Sequence, residues 1–143
     1  HFKAINDRHG HAVGDRVLRE LSRLVRDNLR AVDVFCRWGG EEFVILSPEI
    51  PAEDACRLAD KLALRMREHR ADGLPHFTAS FGVATYEPGD DTESLFAKAD
   101  HALYEAKSSG RDRVVVYRPG GPATAAAANP RSRIALVSDR NLR

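Results

Sequence analysis

The sequence predicts an α+β domain, and three observations carry that prediction. Two short apolar runs, residues 32–35 and 43–46, flank Gly39-Gly40 and read as a β-hairpin. Three longer stretches place apolar residues on one helical face. A separate run, residues 77–86, alternates bulky Phe77, Ala79, Phe81 and Val83 against small residues, as a strand does.

Taken in order, Phe2 and Ile5 predict a short first helix over residues 2–8, broken at His9-Gly10-His11. That His-x-His pair has no third ligand nearby, so it reads as loop rather than metal site. Gly14-Asp15 then opens a second helix, with Asp15 as its N-cap and Val17, Leu18, Leu21, Leu24, Val25 and Leu29 on one face. Arg30-Ala31-Val32-Asp33 ends it and leads into the hairpin. After Pro48 and Pro51, the face Ala52, Ala55, Cys56, Ala59, Leu62, Ala63 and Met66 predicts a third helix, with Glu53 and Asp54 in its first turn. Gly73 and Pro75 close the connection to the strand at 77–86. Asp90 and Asp91 offer N-caps for a fourth helix bearing Leu95, Phe96, Ala99, Ala102, Leu103 and Ala106, which Gly110 stops. Residues 113–117 form a last strand. From 118 to 143 a Pro-Gly-Gly-Pro, an alanine run and an Asn-Pro read as a flexible tail. The apolar residues 134–137 within that tail read as a short strand or a binding segment and are not assigned to the domain.

The 143 residues suffice for one domain, and a formal net charge of +1 gives no general argument for nucleic acid or a membrane surface. Cys36 and Cys56 lack metal spacing and are not expected to bridge, which fits a reducing, cytoplasmic setting. No apolar run is long enough to span a bilayer. The chain starts at His1 without a methionine, so a longer parent protein is expected.

The hairpin tip has unusual chemistry. Glu41 and Glu42 follow the two glycines, where a plain turn would carry Asn or Asp. Glycines admit a phosphate chain and a carboxylate holds a hard cation, so the tip suits a polyphosphate with Mg²⁺. An acidic, solvated turn is the plainer reading of the same residues.

Further motifs accompany Gly-Gly-Glu-Glu-Phe. Phe-Lys-x-Ile-Asn-Asp and Gly-His-x-x-Gly-Asp precede it, Arg30-x-x-Asp33 stands just before it, and Thr-Ala-Ser-Phe-Gly-Val-Ala follows. Ala-Asp-x-Ala-Leu-Tyr-x-Ala-Lys-x-x-Gly-Arg-Asp-Arg spans the last helix and its loop. Together they resemble the GGDEF family of diguanylate cyclases, over roughly residues 1–117. The resemblance implies a ferredoxin-like, nucleotidyl-cyclase-like palm with a mostly antiparallel central sheet flanked by helices. It further implies that residues 1–117 form a domain lacking its N-terminal strand, with its Asp-x-Asp, and that 118–143 is a tail.

The implied activity is condensation of two GTP into cyclic di-GMP with release of pyrophosphate, in a homodimer, with Mg²⁺ or Mn²⁺. By the same resemblance Glu41 is the metal ligand and catalytic carboxylate, with Glu42 in support. Asn6 and Asp15 read guanine, which presents an N1–H and amine pair that adenine lacks. The backbone around His1, Phe2 and Lys3 lies along the β- and γ-phosphates, with Gly39 and Gly40 beside the substrate and Lys107 and Arg111 on the triphosphate. Arg30 and Asp33 resemble the inhibitory site for cyclic di-GMP. An upstream sensor domain is expected in the parent protein. Lacking the first strand, which is central in this fold, the chain is expected to be nearly inactive alone and to expose sheet edges. The alternative function is a non-catalytic module that binds cyclic di-GMP or dimerises.

Overall fold

The computed structural model describes residues 2–119 and the backbone of residues 134–139. Helices α1 (Phe2–His9) and α2 (His11–Arg26) meet at Gly10, whose φ of 84° breaks the helical path. Helix α2 therefore opens at His11, ahead of the expected Gly14-Asp15. Gly10 holds the N-cap place with no side-chain cap, and the Gly14 amide bonds back to its carbonyl at 3.2 Å. Asp15 lies inside the helix, so it is not a cap. The buried face of α2 holds the expected Val17, Leu18, Leu21, Leu24 and Val25, but the helix ends at Arg26, short of Leu29.

Strands β1 (Val34–Gly39) and β2 (Glu42–Pro48) pair antiparallel, with Cys36 opposite Val44 and Arg37 opposite Phe43. They run closer to the turn than the sequence indicates, and a bulge between Arg37 and Gly39 turns out Trp38. Only Gly40 and Glu41 connect them. Helix α3 (Ala52–Glu68) buries Ala55, Ala59, Leu62, Ala63 and Met66. Strand β3 (Phe81–Thr85) is shorter than the alternating run. Phe77 and Ala79 are buried all the same, but the ladder starts at Phe81, where Val114 first supplies a partner. Helix α4 (Thr92–Ser108) and β4 (Val114–Val116) complete the expected elements.

The order in the sheet is β1-β2-β5-β3-β4, where β5 (Ile134–Asp139) comes from the stretch read as tail. The other residues from 120 onward lie outside the described residues. β5 runs parallel to both neighbours, and β3 runs parallel to β4. The expected predominance of antiparallel pairing is thus corrected: among the described strands only β1–β2 is antiparallel. Helix α4 carries the chain back to the end where β3 began, which makes β4 parallel to it. The slot between β2 and β3, expected to be bare, is the one β5 fills. Phe43, Ile45, Phe81 and Val83 flank it and are essentially fully buried, so backbone groups there need a ladder partner.

One sheet face packs on α2 and α3 through Phe43, Ile45, Phe81 and Val83. The other meets α4 through Val44, Ala84, Leu95 and Ala99. Helix α4 approaches so closely that a Cβ on Gly82 would overlap the Ala99 carbonyl and the Leu103 amide. Because β2, β5, β3 and β4 run in one direction, the hairpin turn and the loop entering β4 share one end of the sheet. Pro48 and the start of β1 lie at the other.

Candidate functional site

At the hairpin end, α1 and α2 form the first wall. The Asn6 carbonyl oxygen of the side chain is buried and has no hydrogen-bond partner. It occupies the space where a Cβ on residue 14 would project, and the Phe2 ring edge would meet that Cβ at 3.1 Å. A buried amide with an unused acceptor is costly unless something else completes it. Next to Gly14 on α2, Asp15 is exposed and makes no hydrogen bond or ion pair among the described residues. Its carboxylate opens onto a cavity of about 550 Å³ shared with Leu18, Arg19, Arg26, Arg37 and Phe43. Lys3 is exposed and faces Asp7 at 3.7 Å. His1, expected beside the phosphates, lies outside the described residues.

The hairpin supplies the second wall. The Arg37 guanidinium donates to the Gly40 carbonyl at 2.7 Å, tying the turn to the Asp15 cavity. Gly40 has φ 54°, which favours glycine. Gly39 has neither a left-handed backbone nor any atom within 4 Å of a built Cβ, so open space lies over it. Glu41 is half-buried, and Glu42 is buried at 6% exposure. A solvated turn, the plainer reading of the sequence, holds only in part at Glu41 and not at Glu42. Trp38, turned out by the bulge, stacks on Phe96 of α4 with centroids 5.3 Å apart.

The loop into β4 is the third wall. Asp91 caps α4 by accepting from the Ser94 amide at 2.7 Å, while Ser94 accepts from the Asp91 amide at 3.0 Å. At the far end Gly110 (φ 114°) turns the chain and the Arg111 amide returns to the Ala106 carbonyl at 2.9 Å, a Schellman closure. Arg111 and Asp112 then take φ 63° and 46°, strained for side chains of this size. Arg67 holds Asp112 through its carboxylate at 2.8 Å and carbonyl at 2.6 Å, and Ser80 accepts from its amide at 3.1 Å. This anchoring keeps Arg111 at the hairpin end of the sheet, one helical turn beyond half-buried Lys107.

Arg30 and Asp33 sit apart from this group. Helix α2, 16 residues and about 24 Å long, separates them from the hairpin end. Asp33 accepts from the Arg30 amide at 2.8 Å and from its guanidinium at 2.8 Å, and Arg30 also donates to the Pro48 carbonyl at 3.1 Å. The Asp33 side chain is 1% exposed. Burial pushes its carboxyl upward, but the hydrogen bonds from the Arg30 guanidinium and amide outweigh that and leave it below the usual carboxylate range. The same pair raises Arg30, first through the Asp33 hydrogen bond.

Among the described residues no group of three His, Cys, Asp or Glu side chains converges for a metal ion. The donor set on its own therefore does not make a divalent-cation site, and Glu41 is its one candidate at the turn. Cys36 and Cys56 are free thiols. No helix among the described residues is long and apolar enough to cross a membrane. The sequence gives Arg37, two residues before the Gly-Gly pair, no role, and gives Gly14 only the opening of the second helix.

Residues 1–113 match the sequence profile described as Diguanylate cyclase, GGDEF domain. The chain belongs to the GGDEF family. It is 45% identical to Diguanylate cyclase DgcM of Escherichia coli K12 over 114 residues, which is 80% of this chain and 28% of DgcM. This chain thus spans less than a third of that curated relative. Among solved GGDEF-family structures, the active GGEEF domain of a diguanylate cyclase from Vibrio cholerae superposes with a TM-score of 0.74 at 36% identity, covering 82% of this chain and 76% of that one. The GGDEF domain of DgcB from Caulobacter crescentus, solved in complex with c-di-GMP, superposes with a TM-score of 0.72 at 28% identity, covering 82% and 72%. These neighbours bear out the α+β palm architecture expected of a GGDEF domain.

Proposed function

We propose that this GGDEF domain binds GTP at the hairpin end of the sheet and joins two GTP into cyclic di-GMP. The observation that carries the reading is the meeting of an enclosed, unsatisfied Asn6 side-chain oxygen, an exposed Asp15 carboxylate and a glycine turn bearing Glu41 at one end of the fold. Asn6 and Asp15 read the guanine edge. Gly39 and Gly40 leave room for the phosphates, which the backbone at Phe2 and Lys3 and the cations Lys107 and Arg111 neutralise. In a homodimer the two nucleotides lie head to tail. The 3′-oxygen of each forms a bond to the α-phosphorus of the other, the bond to the bridging oxygen breaks, and pyrophosphate leaves. Glu41 contributes this chain's carboxylate to a Mg²⁺ or Mn²⁺ site and takes the hydroxyl proton, with Glu42 in support. Arg30 and Asp33 form a product-inhibition site at the opposite end. A reducing cytoplasmic setting and control by an upstream sensor domain suit the same reading.

One observation favours a second reading, a module that binds cyclic di-GMP without turnover: a single candidate carboxylate at the turn makes a weak metal site. Incubation with GTP and Mg²⁺, with chromatographic detection of cyclic di-GMP, separates the two. Calorimetry with GTP and ATP tests the nucleotide site itself. GTP binding over ATP, lost in Asp15→Ala, supports it; equal affinity for both nucleotides sinks it.

A further inference from the structure

Arg26 stands on α2 one turn before Arg30 and lines two cavities at once. One is the Asp15 cavity; the other, of about 340 Å³, is bounded by Leu29, Arg30, Asp33 and Phe35. Its guanidinium carbon lies 5.8 Å from the centroid of the Phe35 ring, and that ring stacks on Phe43 with centroids 5.3 Å apart. The side chain is thus held against a fixed aromatic wall. No carboxylate among the described residues pairs with Arg26. The neighbouring acids Glu20 and Asp27 are both bound to Arg23, at 2.7 and 2.8 Å. Asp33, in contrast, is buried and already accepts from Arg30, so its carboxylate serves to set the Arg30 guanidinium. What the smaller cavity offers an anion is therefore the open edge of Arg30 together with Arg26.

A cyclic dinucleotide carries two phosphodiesters, each with one negative charge, and a single arginine cannot fork onto both. We propose that Arg26 is the second phosphate-binding cation of the cyclic dinucleotide site at this end of α2, held in place by Phe35. The inference rests on the reading of Arg30 and Asp33 as the product site. Stacking on Phe35 removes much of the rotamer freedom that Arg26 would otherwise lose on binding, and the planar fork matches two phosphate oxygens. A lysine keeps the charge and gives up both advantages.

The test is calorimetric titration of cyclic di-GMP into the full chain and into Arg30→Ala, Arg26→Ala and Arg26→Lys, each checked for folding by circular dichroism. Arg26 is exposed on a helix, where alanine is well tolerated, so folded variants are expected. Arg26→Ala should bind about 10-fold or more weakly, with a shallower salt dependence, and Arg26→Lys should fall between it and the parent. Weakening by Arg30→Ala with unchanged affinity in Arg26→Ala overturns the role of Arg26 and leaves the site reading standing. Unchanged affinity in Arg30→Ala, or no binding by the parent chain, overturns the site reading and the inference with it.

Discussion

The side-chain oxygen of Asn6 fills the space that a Cβ on residue 14 would need, so Gly14 is what lets half-buried Asn6 enclose that oxygen with an unused acceptor. The two residues lie on successive helices, and the turn at Gly10 sets their distance.

Gly14→Ala tests that relationship. In a helix interior alanine is favoured over glycine by up to ~1 kcal/mol, so secondary-structure preference alone predicts a more stable protein. The overlap with Asn6 predicts a displaced amide. GTP affinity should fall about 10-fold or more while the thermal midpoint changes by only a few degrees. Retained GTP affinity would show that Asn6 does not contact the base.

Glu41→Ala should leave the fold intact, because the side chain sits at a two-residue turn outside both core clusters. In a longer version of the domain that turns over GTP, cyclic di-GMP formation should drop by at least ~100-fold, since loss of charge neutralisation at a transferring phosphoryl group costs about 3 kcal/mol or more. Near-parental turnover at saturating Mg²⁺ rules out the assignment.

Activity of the chain by itself should be low. No three carboxylate, His or Cys side chains of the described residues converge to complete a cation site around Glu41, and Mg²⁺ held by one carboxylate is weak. A turnover rate matching that of intact DgcM would overturn this account of the metal site.

Acid should weaken the Arg30–Asp33 pair. Asp33 titrates below its unfolded value of about 3.9, so its contribution to stability is complete above about pH 4. That contribution is lost as pH falls through the lower folded value. Asp33→Asn should therefore lower the melting temperature at pH 7, and the gap to the parent should narrow at pH 3. An equal gap at both pH values would mean that the asparagine acts through packing alone.

Gly82→Ala should destabilise by at least the ~1–3 kcal/mol typical of overpacked cores, because the new methyl meets backbone of α4 at Ala99 and Leu103 rather than a movable side chain. Denaturant unfolding measures it. A loss under ~0.5 kcal/mol would show that α4 can shift on the sheet at little cost.

Much of this protein is written locally in its sequence. The buried faces of α2, α3 and α4 follow from helical periodicity, the Asp91 cap from its position before an apolar run, and the hairpin from two glycines between apolar segments. Such features depend on residues a few positions apart, so the chain declares them without its neighbours. The residues of the candidate site were legible only through the resemblance of their motifs to the GGDEF family.

Long-range relationships were decided only by the tertiary structure. The place of β5 depends on the unmet backbone groups of β2 and β3, which nothing within residues 134–139 announces. The start of α2 at His11 turned on a left-handed Gly10, where Asp15 offered an equally good cap. That the Asp33 side chain is buried and accepts from both the Arg30 amide and its guanidinium is nowhere announced by its own stretch of sequence. Arg26 gains a role only because α2 lays it over Phe35 of β1. A side chain's type and spacing set what it can do, whereas burial and the elements packed against it settle which groups remain free to do it.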